Sequence, residues 1–336
     1  MVFPDPELEA LILTTAPGLD PSWLEHEEEI KRRGPARIFN SAEERQPAYA
    51  KECRDLHAKM MAPGARYHEL SQGITKTELA ISSSVDGHLI PVIQLDLMYS
   101  EHKEPEVVII YYHGGGLRVG EADSEELSCR HLVKSGLARI RLYSVGYRLL
   151  PQYSADFCLS DCMDGFRALY NSTAKTIVVG SSSGGQMATA VAQAAPRGSI
   201  YGVLLRCPVT ADRASGEEFI PERLRLYHTS VSPTFVTSLL GYLNRDLPRD
   251  GLEKLPLEVT EAELKGHPRT WIQLTSNDTL YSDGLCYAMI LREAGIEVQV
   301  QVEMGWPHTC WLKAPHLDDA FVFEQNMLGG LRWLIT

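Results

Sequence analysis

Hydrophobic and polar positions follow a regular order from about residue 76 to residue 334. Two stretches of alternating residues flank Asp86 and Gly87, a two-residue turn signal, and predict a β-hairpin. Short apolar runs then alternate with segments of helical periodicity, which predicts buried strands connected by helices. The predicted strands are residues 77–83, 88–97, 107–112, 139–145, 177–179, 200–206, 270–274 and 297–303, and the predicted helices are residues 124–135, 155–170, 186–195, 283–294 and 318–334.

This alternation predicts an α/β fold in which a mostly parallel eight-stranded sheet carries helices on both faces. Residues 1–75 contain helical segments broken by proline and glycine, and we interpret them as an N-terminal helical arm that is part of a cap. Residues 208–266 are too long for an ordinary connection and are interpreted as a cap insertion. The predicted core is then residues 76–207 and 267–336. Such sheets bind ligands at the carboxyl ends of their strands, so we expect the functional site there, under the cap.

The composition narrows the classes of function. The chain has 336 residues and a formal net charge of −12, so it lacks the basic surface expected of a nucleic-acid-binding protein. No apolar run approaches the roughly 20 residues of a membrane span. The N-terminal MVFPDPELEALIL lacks the basic region and apolar core of a secretory signal, which predicts a cytoplasmic protein. The seven cysteines lack metal-finger spacing, so we expect no metal site.

The most informative stretch is residues 176–190, TIVVGSSSGGQMATA. A β-branched apolar run, a GSSSG turn and a small-residue helix follow one another in the order that a G-x-S-x-G nucleophile elbow requires. This elbow would hold Ser182 in a sharp turn with its hydroxyl at the top of the sheet. The turn requires glycine at positions 180 and 184, because side chains there would collide with the neighbouring strand and helix. Because the G-x-S-x-G motif is common, it indicates a nucleophile only when other motifs in the chain support it.

HGGG at residues 113–116 directly follows the predicted strand 107–112. Consecutive glycines let backbone N–H groups approach a substrate oxygen, which indicates an oxyanion hole formed by the amides of Gly115, Gly116 and Ser183. Gly114 and His113 are expected to support this loop, with the imidazole ordering the loop rather than reaching the serine. The alternative is a flexible glycine turn without a function.

A serine nucleophile needs a base and a carboxylate that orients the base. Asp278 follows the predicted strand 270–274, where it could hold an imidazole in the right tautomer. Asp283 is a second acidic residue that either supports the site or, as we prefer, caps the helix that follows it. His308 lies in a loop after the last predicted strand and completes the chain order Ser, Asp, His that is typical of α/β-hydrolases.

HGGG, YRLLP at residues 147–151, GSSSGG, NDTLYSDG and a loop histidine, in this spacing, together resemble the hormone-sensitive-lipase family of α/β-hydrolases. The resemblance covers about residues 80–207 and 268–334 and implies an α/β-hydrolase fold. It implies Ser182 as nucleophile, Asp278 as its acid partner and His308 as base. Ser181 and Ser183 depart from the family pattern, which usually has an acidic residue before the nucleophile and alanine after it, so the chain resembles a divergent member.

The resemblance and the motifs predict a serine hydrolase that cleaves a small or medium apolar carboxylic ester without any metal or organic cofactor. One alternative is a hydrolase of a lactone or thioester intermediate in secondary metabolism. A second alternative is a non-catalytic ligand receptor on the same fold, although such receptors lose the histidine that is present here. A homodimer is left open.

Overall fold

The computed structural model describes residues 5–35, 37–100, 103–212, 216–240 and 249–336. The described residues form one eight-stranded sheet. Its strands are β1 (Ile74–Ser82), β2 (Leu89–Leu97), β3 (Val107–Tyr112), β4 (Ile140–Val145), β5 (Lys175–Ser181), β6 (Gly202–Arg206), β7 (Arg269–Asn277) and β8 (Val298–Pro307). The helices are α1 (Pro6–Glu9), α2 (Pro21–Arg32), α3 (Ala42–Met61), α4 (Glu126–Val133), α5 (Ala155–Leu169), α6 (Ser183–Ala194), α7 (Glu261–Leu264), α8 (Tyr281–Glu293), α9 (Cys310–Lys313) and α10 (Asp318–Ile335).

The strands lie in the order β1-β2-β4-β3-β5-β6-β7-β8. β1 and β2 form the predicted antiparallel hairpin, β2 is also antiparallel to β4, and all other neighbours are parallel. The predicted α/β-hydrolase fold with a mostly parallel eight-stranded sheet is therefore confirmed. Because parallel strands point the same way, the loops after β3, β5, β7 and β8 open at one edge of the sheet.

Helices cover both faces of the sheet because the buried strands have an apolar side chain on each face. In β3, Val108 and Ile110 belong to one hydrophobic cluster, with residues of α5, α6 and α8. Val107 and Ile109 point the opposite way and belong to a second cluster, with residues of α4 and α10. This alternation with period two explains why a continuous apolar run predicted a doubly covered strand.

The element boundaries differ from the sequence prediction mainly at turns. β1 begins at Ile74, two residues before the predicted start of the core, and α6 begins at Ser183 rather than at residue 186. The described part of the insert, residues 208–266, contains short 3₁₀ turns and only the four-residue helix α7. Prolines at 221, 233 and 256 stand just before or at the start of these turns, where proline favours a turn over a continuing helix. Residues 213–215 and 241–248 of the insert lie outside the described residues.

The described part of the arm, residues 5–35 and 37–75, contacts both the loops at the carboxyl ends of the strands and the helices beside them. The Pro17 carbonyl accepts a hydrogen bond from the Asn277 side chain after β7, and the Leu70 carbonyl accepts one from Arg130 of α4. Trp23 of α2 is fully buried, and its indole N–H donates to Glu27 of its own helix and to Ser238 of the insert. The Asp20 amide donates to the carbonyl of Gly305 in β8 at 2.9 Å. The arm thus contacts both the insert and the sheet. Among the described residues, no helix has the length and apolar character needed to cross a membrane.

Candidate active site

Ser182 lies in the sharp turn between β5 and α6. Its backbone has φ 53° and ψ −122°, a strained conformation for a residue with a side chain. The turn is held by hydrogen bonds on both sides, since the Ser182 amide donates to the carbonyl of Arg206 and the Val209 amide donates to the carbonyl of Ser182. The sheet therefore imposes the strained geometry that the G-x-S-x-G motif predicts.

The two glycines of the motif are needed for close approach. A Cβ atom on Gly180 would lie 2.1 Å from the carbonyl oxygen of Gly184. A Cβ atom on Gly184 would lie 2.0 Å from the carbonyl oxygen of Tyr112, at the end of β3. Both distances are far below van der Waals contact, so any side chain would push α6 away from the sheet.

The structure brings Ser182, His308 and Asp278 together from three loops. The His308 Nε2 atom lies 2.9 Å from the Ser182 Oγ atom, and the Nδ1 atom lies 2.6 Å from the Asp278 Oδ2 atom. All three residues are buried, with at most 4% of the surface of each residue exposed. The serine hydroxyl, the imidazole and the carboxylate therefore form one continuous chain of hydrogen bonds.

Local structure fixes both ends of this chain. The Asp278 carboxylate also accepts hydrogen bonds from the Leu280 amide at 2.9 Å and from the Thr275 hydroxyl at 3.3 Å, so its orientation is determined by the turn after β7. The carbonyl of His308 accepts a hydrogen bond from the Lys313 ammonium group at 2.7 Å. Burial lowers the pKa of Lys313 to about 8.

The loop that begins with HGGG, residues 113–120, is called the glycine loop here, and it lines the same cavity as Ser182, as the sequence predicts. Gly115 and Gly116 have φ of +123° and +64°, and among the described residues no hydrogen bond uses either amide N–H. Ser183 is the first residue of α6, so its amide has no partner within the helix. The Leu117 amide donates to the Ser183 hydroxyl at 3.2 Å and joins the loop to the elbow. Among the residues that the structure describes, the amides of Gly115, Gly116 and Ser183 are thus unpaired, and they belong to the two segments that meet at Ser182.

Glu125 is a site residue that the sequence did not identify. Its side chain is buried, and its Oε1 atom accepts hydrogen bonds from the Gly114 amide at 2.6 Å and the Ser181 hydroxyl at 2.5 Å. Its Oε2 atom accepts the Tyr111 hydroxyl at 2.5 Å. This carboxylate therefore connects β3, the glycine loop and the elbow. No sequence signal marks it, because Glu125 stands in an acidic run typical of a solvated surface.

His113 packs inside the loop and does not reach the serine. Its imidazole is fully buried, stacks on Tyr147 with 4.4 Å between ring centroids, and has its Nδ1 atom 2.7 Å from the Gly114 carbonyl oxygen. The Tyr147 hydroxyl donates back to the carbonyl of His113. Burial lowers the pKa of His113 to about 4, so the ring is neutral at neutral pH.

The prediction that Asp283 caps the following helix is wrong. The helix begins earlier, with Leu280 as its N-cap, and places Asp283 inside its first turn. The buried carboxylate accepts hydrogen bonds from the amides of Thr210 and Ala211, each at 3.0 Å, and lies 2.9 Å from the Nε2 atom of His228. Asp283 thus holds the start of the insert and does not contact the imidazole of His308.

Among the described residues, one group of three side chains has the spacing of metal ligands, namely Cys207, Asp278 and His308. Both nitrogens of the His308 imidazole are already engaged with Asp278 and Ser182. Burial and the nearby Asp278 raise the pKa of the Cys207 thiol, which disfavours the thiolate that a metal needs. The donor set fits a hydrogen-bonded chain and does not fit a metal centre.

A cavity of about 570 Å³ opens onto Ser182 and His308. Residues of the arm, including Phe39 and Tyr49, form one wall, and the glycine loop forms another. Leu240 of the insert also lines it. This volume is in the range of ordinary small-molecule sites.

Comparison with known proteins agrees with this fold. The profile of a family described as alpha/beta hydrolase fold matches residues 109–312, which is more than half of the chain. The FAD-linked oxidoreductase pytB of Aspergillus terreus is 27% identical over 241 residues, covering 68% of this chain and 29% of that protein. The chain therefore spans less than a third of the length of this relative.

Two further comparisons extend over nearly the whole chain. The versiconal hemiacetal acetate esterase of Dothistroma septosporum is 25% identical over 337 residues, which is 94% of each protein. The crystal structure of vibralactone cyclase superimposes with a TM-score of 0.75 at 19% identity and covers 96% of both chains. With the family profile, the fold and the ordered motifs in agreement, this chain belongs to the α/β-hydrolase-fold family as a divergent, hormone-sensitive-lipase-like member.

Proposed function

We propose that this protein is a serine hydrolase that cleaves carboxylic esters through an acyl-enzyme. The observation that carries the proposal is the hydrogen-bonded chain from the Ser182 hydroxyl through His308 to Asp278, next to three unpaired amides. The esterase named among its relatives supports an ester as the substrate.

In the proposed mechanism, His308 takes the proton from Ser182 as the serine oxygen attacks the ester carbonyl. Asp278 holds the imidazole in the correct tautomer and stabilises its charged form. The amides of Gly115, Gly116 and Ser183 hold the oxyanion, where losing one donor typically costs about 2.7–4 kcal/mol. His308 then protonates the leaving alcohol, and water hydrolyses the acyl-enzyme by the same steps in reverse.

We also propose that the arm and the insert act together as a cap that selects the substrate. Phe39, Tyr49 and Leu240 line the cavity and come from these two segments. Their apolar surfaces favour a substrate of small or medium size with an apolar body.

The test compares the wild-type protein with Ser182→Ala on p-nitrophenyl esters from acetate to decanoate. We expect the variant to lose essentially all turnover, because the reaction has no other nucleophile, while its circular dichroism spectrum stays unchanged. The chain length that is hydrolysed fastest then measures the depth of the cavity.

Covalent labelling by a fluorophosphonate gives an independent readout of the nucleophile. Labelling at Ser182 without hydrolysis of any of these esters would direct the search to lactones and thioesters. Retention of most activity by Ser182→Ala would contradict the proposal.

A further inference from the structure

The cavity beside Ser182 is basic, although the chain as a whole carries a net charge of −12. Three cationic side chains line it: Arg45 of α3, Arg118 of the glycine loop and Lys313 of α9. Because the protein as a whole is acidic, its average charge would predict a negatively charged cavity. The positive charge is therefore specific to this cavity.

Within the described part of the chain, two of these cations have no ion-pair partner. Among the described residues, no carboxylate oxygen lies within 4.0 Å of the guanidinium nitrogens of Arg45 or Arg118, whereas Arg54, Arg148 and Arg249 all form ion pairs. Lys313 differs, since its ammonium group donates to the carbonyl of the neighbouring His308. As far as the structure describes the chain, a ligand would therefore displace no ion pair to reach either guanidinium group.

Among the described residues, the acidic groups near this pair form no ion pair with either arginine. Glu125 is the only acid among the described residues that line the cavity, and its two oxygens already accept hydrogen bonds from three groups of the wall. The pKa of the exposed Glu43 is lowered first by its own backbone amide, then by Ser41 and last by the charge of Arg118, with which it forms no ion pair.

We propose that the ester substrate carries a carboxylate, which Arg45 and Arg118 bind while Ser182 attacks the ester group. A guanidinium group matches a carboxylate through two parallel hydrogen bonds, and it stays protonated under all ordinary conditions. Phe39 and Tyr49 line the cavity beside these arginines and suit the apolar body of the same molecule. This inference rests on the proposed ester hydrolysis and narrows the substrate class.

The experiment uses two pairs of substrates that differ in one charge. The first pair is 3-acetoxybenzoate and its methyl ester, which place the charge on the alcohol side. The second is 4-nitrophenyl hydrogen adipate and its methyl ester, which place the charge on the acyl side. The readout is the ratio of kcat/KM for the anionic substrate to that for the neutral one. Comparing this ratio between enzyme forms cancels differences in intrinsic reactivity.

We expect the double variant Arg45→Gln/Arg118→Gln to lower this ratio about tenfold in one of the two pairs, as loss of a charge-assisted contact predicts. The ratio of the wild-type enzyme should also fall with rising salt concentration. The matched control is Arg332→Gln, which removes an exposed arginine of α10 outside the cavity and should leave the ratio unchanged. Arg45→Lys/Arg118→Lys keeps both charges and should retain part of the preference.

An unchanged ratio in the double variant, with both substrates still hydrolysed, would overturn the charge proposal and leave ester hydrolysis intact. Where neither pair is turned over, two fluorophosphonates that differ only by carboxylate or methyl ester provide the same comparison through their rates of Ser182 labelling. Absence of labelling and of all ester hydrolysis would overturn the proposed function together with this inference.

Discussion

At the scale of single residues, the two serines that depart from the family pattern both link the elbow to the glycine loop. Ser181 donates to Glu125, which in turn accepts from Gly114, and Ser183 accepts from Leu117. The residue before the nucleophile is a serine here, and it donates to a carboxylate, that of Glu125. A carboxylate therefore lies next to the elbow although residue 181 is not acidic.

Glu125→Gln should therefore lower kcat about tenfold or more and change KM less, because the amide group places a donor against groups that donate and displaces the loop that carries Gly115 and Gly116. Steady-state kinetics on the preferred p-nitrophenyl ester measures both constants. The control is Glu121→Gln, which alters a half-exposed glutamate that is paired with Arg54 on the surface. An unchanged kcat in the Glu125 variant would contradict a positioning role.

At the scale of elements, the first turn of α8 anchors the insert to the core. Asp283 accepts from the amides of Thr210 and Ala211, and the Ser282 and Ser230 hydroxyls lie 2.6 Å apart. Both contacts join residues more than 50 positions apart in the chain. A single helix turn thus determines where the insert leaves the sheet.

Asp283→Ala should destabilise the protein by about 2–3 kcal/mol, because two buried amides lose their acceptor. Hydrogen exchange followed by mass spectrometry should show faster exchange for the peptide that contains Thr210 and Ala211, with little change in β3 or β5. Glu25→Ala, in an exposed position of α2, is the control. Equal protection of that peptide in both variants would show that other contacts hold the insert.

At the scale of the whole molecule, buried neutral histidines predict sensitivity to mild acid. Burial lowers the pKa of His57, His113 and His267 to about 4 in each case. In the unfolded chain these imidazoles bind protons near pH 6.5, so between pH 6.5 and 4 the unfolded state holds more protons than the folded state. The free energy of unfolding should be at its full value above pH 6.5 and should fall as the pH drops through this window.

The loss is up to about 3 kcal/mol for each imidazole that stays neutral. Urea unfolding midpoints measured from pH 7.5 to 4.5 give the slope. His267→Gln should reduce that slope, because its ring lies in the core between the Pro268 carbonyl and the Tyr287 hydroxyl, away from the site. His88→Gln, in an exposed position, is the control. A midpoint that does not change with pH would rule out this account.

The sequence predicted the sheet well because burial on two faces leaves a direct trace in the chain. The apolar run predicted as a strand at residues 107–112 coincides with β3, and the predicted hairpin corresponds to β1 and β2. Predictions failed where the role of a residue depends on a contact with residues far away in the chain. Asp283 has the spacing of a helix cap, yet it binds the backbone of residues more than 70 positions earlier.

The sequence by itself determined the order of strands and helices and the positions of Ser182, Asp278 and His308, since apolar periodicity and short motifs depend on neighbouring residues. Only the tertiary structure decided how these side chains meet and what surrounds them. Glu125, Arg45 and Arg118 look like ordinary surface charges in the chain, and the roles that we propose for them depend on which segments fold against one another. The physical reason is that hydrogen bonds and charges act over a few ångströms in space, whatever the distance along the chain.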